Sequence, residues 1–112
     1  MSNHSNTAAE QALDALGDPM RRRIVQRLAD GPRPVVDIAT GLPIGRPAVS
    51  RHLKVLSEAG LVTHTSRGTR NLYALAPEGQ VALQQWIVGL WGAALGSFAA
   101  YVDENTQEQG YG

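Results

Sequence analysis

At 112 residues the chain has room for one domain, and its 43% hydrophobic fraction is enough to build a core. It contains no cysteine, which excludes a disulfide framework, a thiolate metal site and a cysteine nucleophile, and which fits a reducing, cytoplasmic setting. The formal net charge is zero but unevenly placed: all ten basic residues lie between Arg21 and Arg70, opposed there only by Asp30, Asp37 and Glu58, while Glu10, Asp14, Asp18, Glu78, Asp103, Glu104 and Glu108 lie outside. The central segment therefore carries +7 and the flanks −7. A basic centre with acidic flanks is the electrostatic footprint of a nucleic-acid reader; the bland alternative is chance clustering of solvated charges.

The chain divides into a disordered tail at residues 1–6, one domain at 7–104 and a second tail at 105–112. The first ten residues are polar and lack the apolar centre of a secretory signal. Thr7 to Leu16 can form a helix, with Ala8, Ala9, Ala12, Leu13 and Leu16 spaced for one face. Gly17 ends it, Asp18 is placed to cap the next helix, and Pro19 fits its first turn. Ile24, Val25 and Leu28 supply a buried stripe up to the stop at Gly31-Pro32. Arg21, Arg22 and Arg23 fall near the positive end of that helix dipole, where cations are unfavourable, so each requires an acceptor: a carboxylate of the fold or a DNA phosphate.

From Pro34 to Gly60 the pattern is two short helices and a tight turn. Val35, Ile38 and Ala39 form a brief apolar face, and Gly41, Leu42 and Pro43 interrupt it. Gly45 and Pro47 restart a helix in which Val49, Leu53, Leu56 and Ala59 recur at helical spacing, and Gly60 closes it. Its other face presents Arg46, Ser50, Arg51 and Lys54, side chains able to hydrogen-bond phosphates and base edges. Such a pair is an αα-hairpin with a solvated face or a helix-turn-helix whose second helix lies in a major groove. Residues 61–65 and 71–75, β-branched, aromatic and apolar, flank Ser66-Arg67-Gly68-Thr69-Arg70 and predict a hairpin with arginines at its tip. A two-stranded wing after a helix-turn-helix makes a winged helix, and its arginines can reach a minor groove or phosphates.

The blocks ALGDPMRRRIVQRLADGP, AVSRHLKVLSEAGLV and SRGTRNLYAL resemble, in order and spacing, the ArsR-type winged-helix transcriptional regulators from about Ala15 to Leu75. ALQQWIVGLWGAALGSFAAYVDE resembles the long last helix of a branch of that family without metal ligands. The resemblance implies a mainly α fold with a small two-stranded β wing, a homodimer formed by the first and last helices, and a repressor of transcription. On it, Arg46, Pro47, Ser50, Arg51, His52 and Lys54 of helix 46–59, with Arg67 and Arg70 of the 66–70 wing, are the expected DNA-binding set.

After Ala76-Pro77-Glu78-Gly79, large apolar residues recur from Leu83 to Val102 over more than one helix face, with no charge between Glu78 and Asp103. A membrane span through 83–102 is one explanation, although no Lys or Arg flanks the segment. A dimer helix is the other, with Leu83, Ile87, Leu90, Trp91, Ala94 and Phe98 joining Leu13 and Leu16 in the interface. Gly89, Gly92 and Gly96 weaken helix propensity, a loss that close helix approach offsets.

His4, His52 and His64 are far apart and stand beside no nucleophile, and no phosphate-cradling loop or paired carboxylate occurs at useful spacing, so catalytic residues are not expected. Many ArsR relatives place cysteines in the first helix of the helix-turn-helix or His and carboxylate ligands on the last helix. Here Val35-Val36-Asp37-Ile38 offers one carboxylate and the last helix no histidine, so neither a metal site nor a cofactor is expected. The sequence reading is a homodimeric regulator of double-stranded DNA, with a small-molecule effector left open. The rivals are a winged-helix protein-interaction module and a membrane-anchored regulator.

Overall fold

A computed structural model describes residues 4–109, and the side-chain surroundings of residues 7–106. The elements run α1 (His4–Ala15), α2 (Pro19–Arg27), a 3-10 turn (Leu28–Asp30), β1 (Arg33–Pro34), α3 (Val35–Ala39), α4 (Arg46–Glu58), β2 (Val62–Arg67), β3 (Arg70–Leu75) and α5 (Pro77–Gln109). Helix α1 begins at His4, within the stretch expected as the first tail, and α5 extends to Gln109, within the stretch expected as the second. The remaining tail positions, 1–3 and 110–112, lie outside the described residues.

Local chemistry sets the breaks. Asp18 Oδ1 accepts from the amides of Met20 (2.8 Å) and Arg21 (3.1 Å), and Pro19 occupies the first turn of α2, as the sequence predicts. The hydrogen bond from the Arg21 amide holds the Asp18 carboxyl below its ordinary value; desolvation opposes it, and the Met20 amide and the charges of Arg21 and His52 add to the lowering. The acceptors of the neighbouring arginines are neither a carboxylate nor a phosphate. Arg21 Nε donates to the Ala15 carbonyl (2.6 Å), and the Arg22 guanidinium donates to that of Leu16 (2.7 Å). Two cations from the start of α2 thus satisfy carbonyls left open where α1 ends, the negative end of its dipole.

The core gathers Ile24 and Leu28 from α2 and its 3-10 turn, Ile38 from α3, Val49, Leu53 and Leu56 from α4, and Leu61 and Val62 at the entrance to the sheet. Ala12 and Ala15 close it from α1, and Leu16 and Leu83 lean against it. Small residues on the inner side of α1 let that helix sit close.

The sheet has three strands rather than two, in the order β1-β3-β2, all antiparallel. Arg33 pairs with Tyr73 and Pro34 with Leu72. Two residues are too few to show a period-2 pattern, and Pro34 is tolerated because an edge strand does not need its missing N–H. At the other end, Arg67 faces Arg70 across a two-residue turn in which Gly68 takes φ +63°. Beyond Val62 every residue of β2 is exposed, whereas Leu72, Tyr73 and Ala74 of β3 are half-buried and Tyr73 packs against the core, so only the tip of the hairpin stands off as an arm.

Gly60 and Gly79 join the reading half of the molecule to α5. Gly60 closes α4 at φ +76°, and the Gly79 amide donates to its carbonyl at 2.8 Å. From this clasp α5 runs for 33 residues, about 50 Å at helical rise.

Candidate nucleic-acid interface

The buried residues Val49, Leu53 and Leu56 fix how α4 is rotated against the core. Helical periodicity then sends Pro47, Ser50, Arg51 and Lys54 to the opposite side, and all four are exposed. Gly45 is the N-cap residue, extended at φ −83° and ψ 171°, with no side chain between the helix start and solvent. Arg46 and Pro47 occupy the first turn, leaving the N-terminal end open to an approaching phosphate. His52 is not brought together with these residues. It turns to the inward flank of α4, is half-buried, and sits close enough to Asp18 for its charge to act on that carboxylate.

The ten cations divide by partner. Arg21 and Arg22 are spent on the end of α1. The Arg27 guanidinium donates to the carbonyls of Thr40 and Ile38 where α3 ends. Arg33 donates to the Arg27 carbonyl (2.9 Å) and stands 3.7 Å from the Asp30 carboxylate. Among the described residues, Arg46, Arg51, Lys54, Arg67 and Arg70 are exposed and make no internal hydrogen bond or ion pair, and Arg23 is their one companion. The four cations on α2 and β1 that are tied down brace the fold, and five of the six free ones lie on the outer face of α4 and at the wing tip. Sequence reasoning singled out those five and left Arg23 open together with Arg21 and Arg22, because only the structure separates the three. Within the wing, the Ser66 hydroxyl donates to Asn71 Oδ1 (2.9 Å) and the His64 and Tyr73 rings lie 5.4 Å apart, which stiffens the arm below its arginines.

The expected assembly residues fall into two groups. Leu16 and Leu83 are partly buried against the protomer's own core. Leu13, Ile87, Leu90, Trp91, Ala94 and Phe98 are exposed. The stretch Pro77–Thr106 is long and apolar enough to cross a membrane by length and composition, and none of its most apolar window is buried within the protomer. No group of three or more His, Cys, Asp or Glu comes together among the described residues.

A helix-turn-helix that presents a cationic second helix, followed by a stiff hairpin tipped with two arginines, defines the winged-helix class of DNA-binding regulators. The helix-turn-helix domain family matches residues 16–65. The HTH-type transcriptional regulator Rv2034 of Mycobacterium tuberculosis is 47% identical over 94 residues, 84% of this chain and 88% of that protein. The HTH-type transcriptional repressor SmtB of the same species is 42% identical over 69 residues, 62% of this chain and 51% of that one. Among solved structures, the homodimeric winged helix-turn-helix DNA-binding domain of Mb0332 from Mycobacterium bovis, described as a possible ArsR-family regulator, superposes with a TM-score of 0.63 at 28% identity, covering 80% of this chain and 87% of that one. The chain belongs to the ArsR-type winged helix-turn-helix transcriptional regulators.

Proposed function

We propose that the protein is a cytoplasmic, homodimeric repressor that reads double-stranded DNA with α4 in the major groove and steadies itself with the wing. The observation that carries this reading is the division of the cations: the exposed face of α4 and the wing tip hold side chains with no partner among the described residues. Arg46, Ser50 and Arg51, in the N-terminal half of α4, take base edges, and Lys54 takes phosphate. Arg67 and Arg70 take phosphates or the minor groove beside the site. Pro47 keeps the first turn narrow enough for close approach, and His52 acts from behind by packing. Repression follows from occupying a promoter, which is how the SmtB-like relatives are named.

The test is to sequence genomic fragments retained by the purified protein and to measure the affinity of the recovered site against random DNA. A two-fold symmetric motif bound about 10³-fold or more above random sequence supports the reading. Retention of all fragments alike, or of none, would reject sequence-specific regulation in favour of a protein-interaction module. Co-sedimentation of the intact protein with membranes would place α5 in a bilayer instead.

A further inference from the structure

The expected dimer seam does not exhaust the apolar surface of α5. Val88 is 69% exposed, the highest value of any large apolar side chain among the described residues, and Leu95 is 60% exposed. Neither belongs to the expected seam of Ile87, Leu90, Trp91, Ala94 and Phe98. With Val81 and Val102, which are exposed as well, they form a row that recurs every seven residues. At about 100° per residue, this row lies roughly 100° round α5 from the centre of the seam, with Trp91 and Phe98 between the two. The apolar arc is then about 180° wide, whereas one packed neighbour takes up a stripe of about 100°. All residues from 87 to 104 are exposed in the protomer, so both parts of the arc are uncovered.

We propose that the row Val81, Val88, Leu95 and Val102 is the contact through which two dimers pair, α5 against α5, into a tetramer. The period identifies the cover as a helix. A seven-residue repeat drifts about 20° per heptad on a straight helix, and winding round a second helix removes the drift, which a bilayer or a flat protein surface does not do. The row is about 32 Å long at helical rise. Helices α1, α2 and α4 have 12, 9 and 13 residues and are too short to cover it, whereas the 33 residues of α5 match. The partner protomer's α1 is a poor cover for a second reason: among the described residues of α1, Leu13 is its one exposed large apolar side chain. No charge lies between Glu78 and Asp103, so the row neither selects a foreign partner by charge nor repels a second copy. The carboxylates at its two ends, with no Lys or Arg beside them, oppose docking on an anionic membrane. Pairing through the same row on both copies is isologous, and two dimers so joined close as a two-fold symmetric tetramer. A tetramer carries two pairs of α4 helices and can hold two operators at once. The inference rests on the dimer proposed above and adds a second contact to it.

The test is sedimentation equilibrium of the full-length protein without DNA. The row is narrow, so the wild type is expected as a dimer at about 1 µM and as a tetramer by about 100 µM. The double variant Val88→Gln, Leu95→Gln touches only exposed positions and adds no charge. It should remain a dimer at about 100 µM and bind a single operator within about twofold of the wild type. Val88→Ile with Leu95→Met keeps the row apolar and should keep the tetramer. On a fragment with two operators, the wild type should bind cooperatively by at least about fivefold and the glutamine variant independently. A wild type that stays a dimer throughout would overturn the tetramer and leave the dimer standing, and one that stays a monomer would overturn both. A glutamine variant that falls to monomers would place the row inside the dimer seam, and flotation of the wild type with phosphatidylglycerol vesicles would make the cover a membrane; either result overturns the proposal. A tetramer that binds no DNA refutes the function proposed above and leaves this contact in place.

Discussion

Arg51 stands near the middle of the outward face of α4, exposed and with no carboxylate or carbonyl among the described residues to hold it. A guanidinium so placed can bond a guanine edge bidentately, and losing that contact typically costs about 1–3 kcal/mol at one base pair. Arg51→Ala is therefore expected to weaken operator binding by about 5–150-fold and random-DNA binding by much less, measured by fluorescence anisotropy on both. Equal losses would make Arg51 a phosphate contact. Asp18 gives a second prediction at this scale. Its folded-state value lies below the ordinary 3.8, so the carboxylate stabilises the fold fully above that value and the contribution is lost as pH falls through the lower, folded value. Asn caps helices equally well but does not titrate in this range. Thermal midpoints of wild type and Asp18→Asn should thus keep a constant gap from neutral pH down to about the ordinary carboxylate value and converge as the pH is taken below it, whereas a gap that persists unchanged in that acid range would remove Asp18 from the acid response. The Asp18-Pro19 cap was legible in the sequence because capping is decided within four residues. The acceptors of Arg21 and Arg22 were not, because the carbonyls they reach come into range only once α1 and α2 have packed.

At the scale of elements, the wing and the α4–α5 clasp behave differently. The hairpin tip, residues 66–71, is fully exposed, so its arginines can be changed without disturbing the core. Removing both charges with Arg67→Ala and Arg70→Ala should leave the thermal midpoint nearly unchanged while flattening the dependence of log affinity on log salt. Each neutralised phosphate contributes a slope of about −0.9, so four arginines in a dimer account for up to ~3.6. An unchanged slope would place the wing off the DNA. The clasp tolerates no such change. A Cβ on Gly79 would sit 2.8 Å from the Gly60 carbonyl oxygen and 2.9 Å from Leu61 Cδ2, and neither the turn at Gly60 nor the buried Leu61 can yield freely. Alanine ordinarily favours a helix by about 1 kcal/mol over glycine. Here the clash outweighs it, and Gly79→Ala should lower stability by about 1–3 kcal/mol in urea unfolding; a stabilised variant would mean that the helix start shifts aside. The hairpin could be read from its β-branched runs and central glycine. Strand β1 and the Gly60–Gly79 contact could not: one is two residues long, and the other joins positions that only the tertiary fold brings together.

At the scale of the whole molecule, the protomer is not the shape of a self-sufficient globule. Its radius of gyration is 20.2 Å, against about 13 Å expected for a compact chain of this length, and it extends over 74 × 33 × 20 Å. Most of α5 accounts for the difference, and along it Leu90, Trp91, Leu95 and Phe98 are each more than half exposed. Burying a side chain of this size is worth on the order of 1.5–3 kcal/mol, and four of them rival the entire stability of a small domain. A second copy satisfies this surface and the reading problem together. One α4 covers one half-site, and a two-fold pair places two such helices about one turn of DNA apart. That α5 carries apolar residues on more than one face was legible in their spacing; that Leu16 and Leu83 lean inward was not, since spacing does not say which neighbour a helix face meets. Leu90→Glu puts an unpaired charge into the proposed seam while leaving α4 and the wing untouched. In analytical ultracentrifugation without DNA at micromolar concentration, the wild type should sediment as a dimer and the variant as a monomer or aggregate, with operator affinity falling at least about a hundredfold as bivalent binding is lost. Leu90→Met, which keeps the volume and the apolar character, should retain both properties. A wild-type protein that sediments as a soluble monomer and still binds a two-fold operator with full affinity would refute the dimer, and α5 would then need another cover for its exposed face.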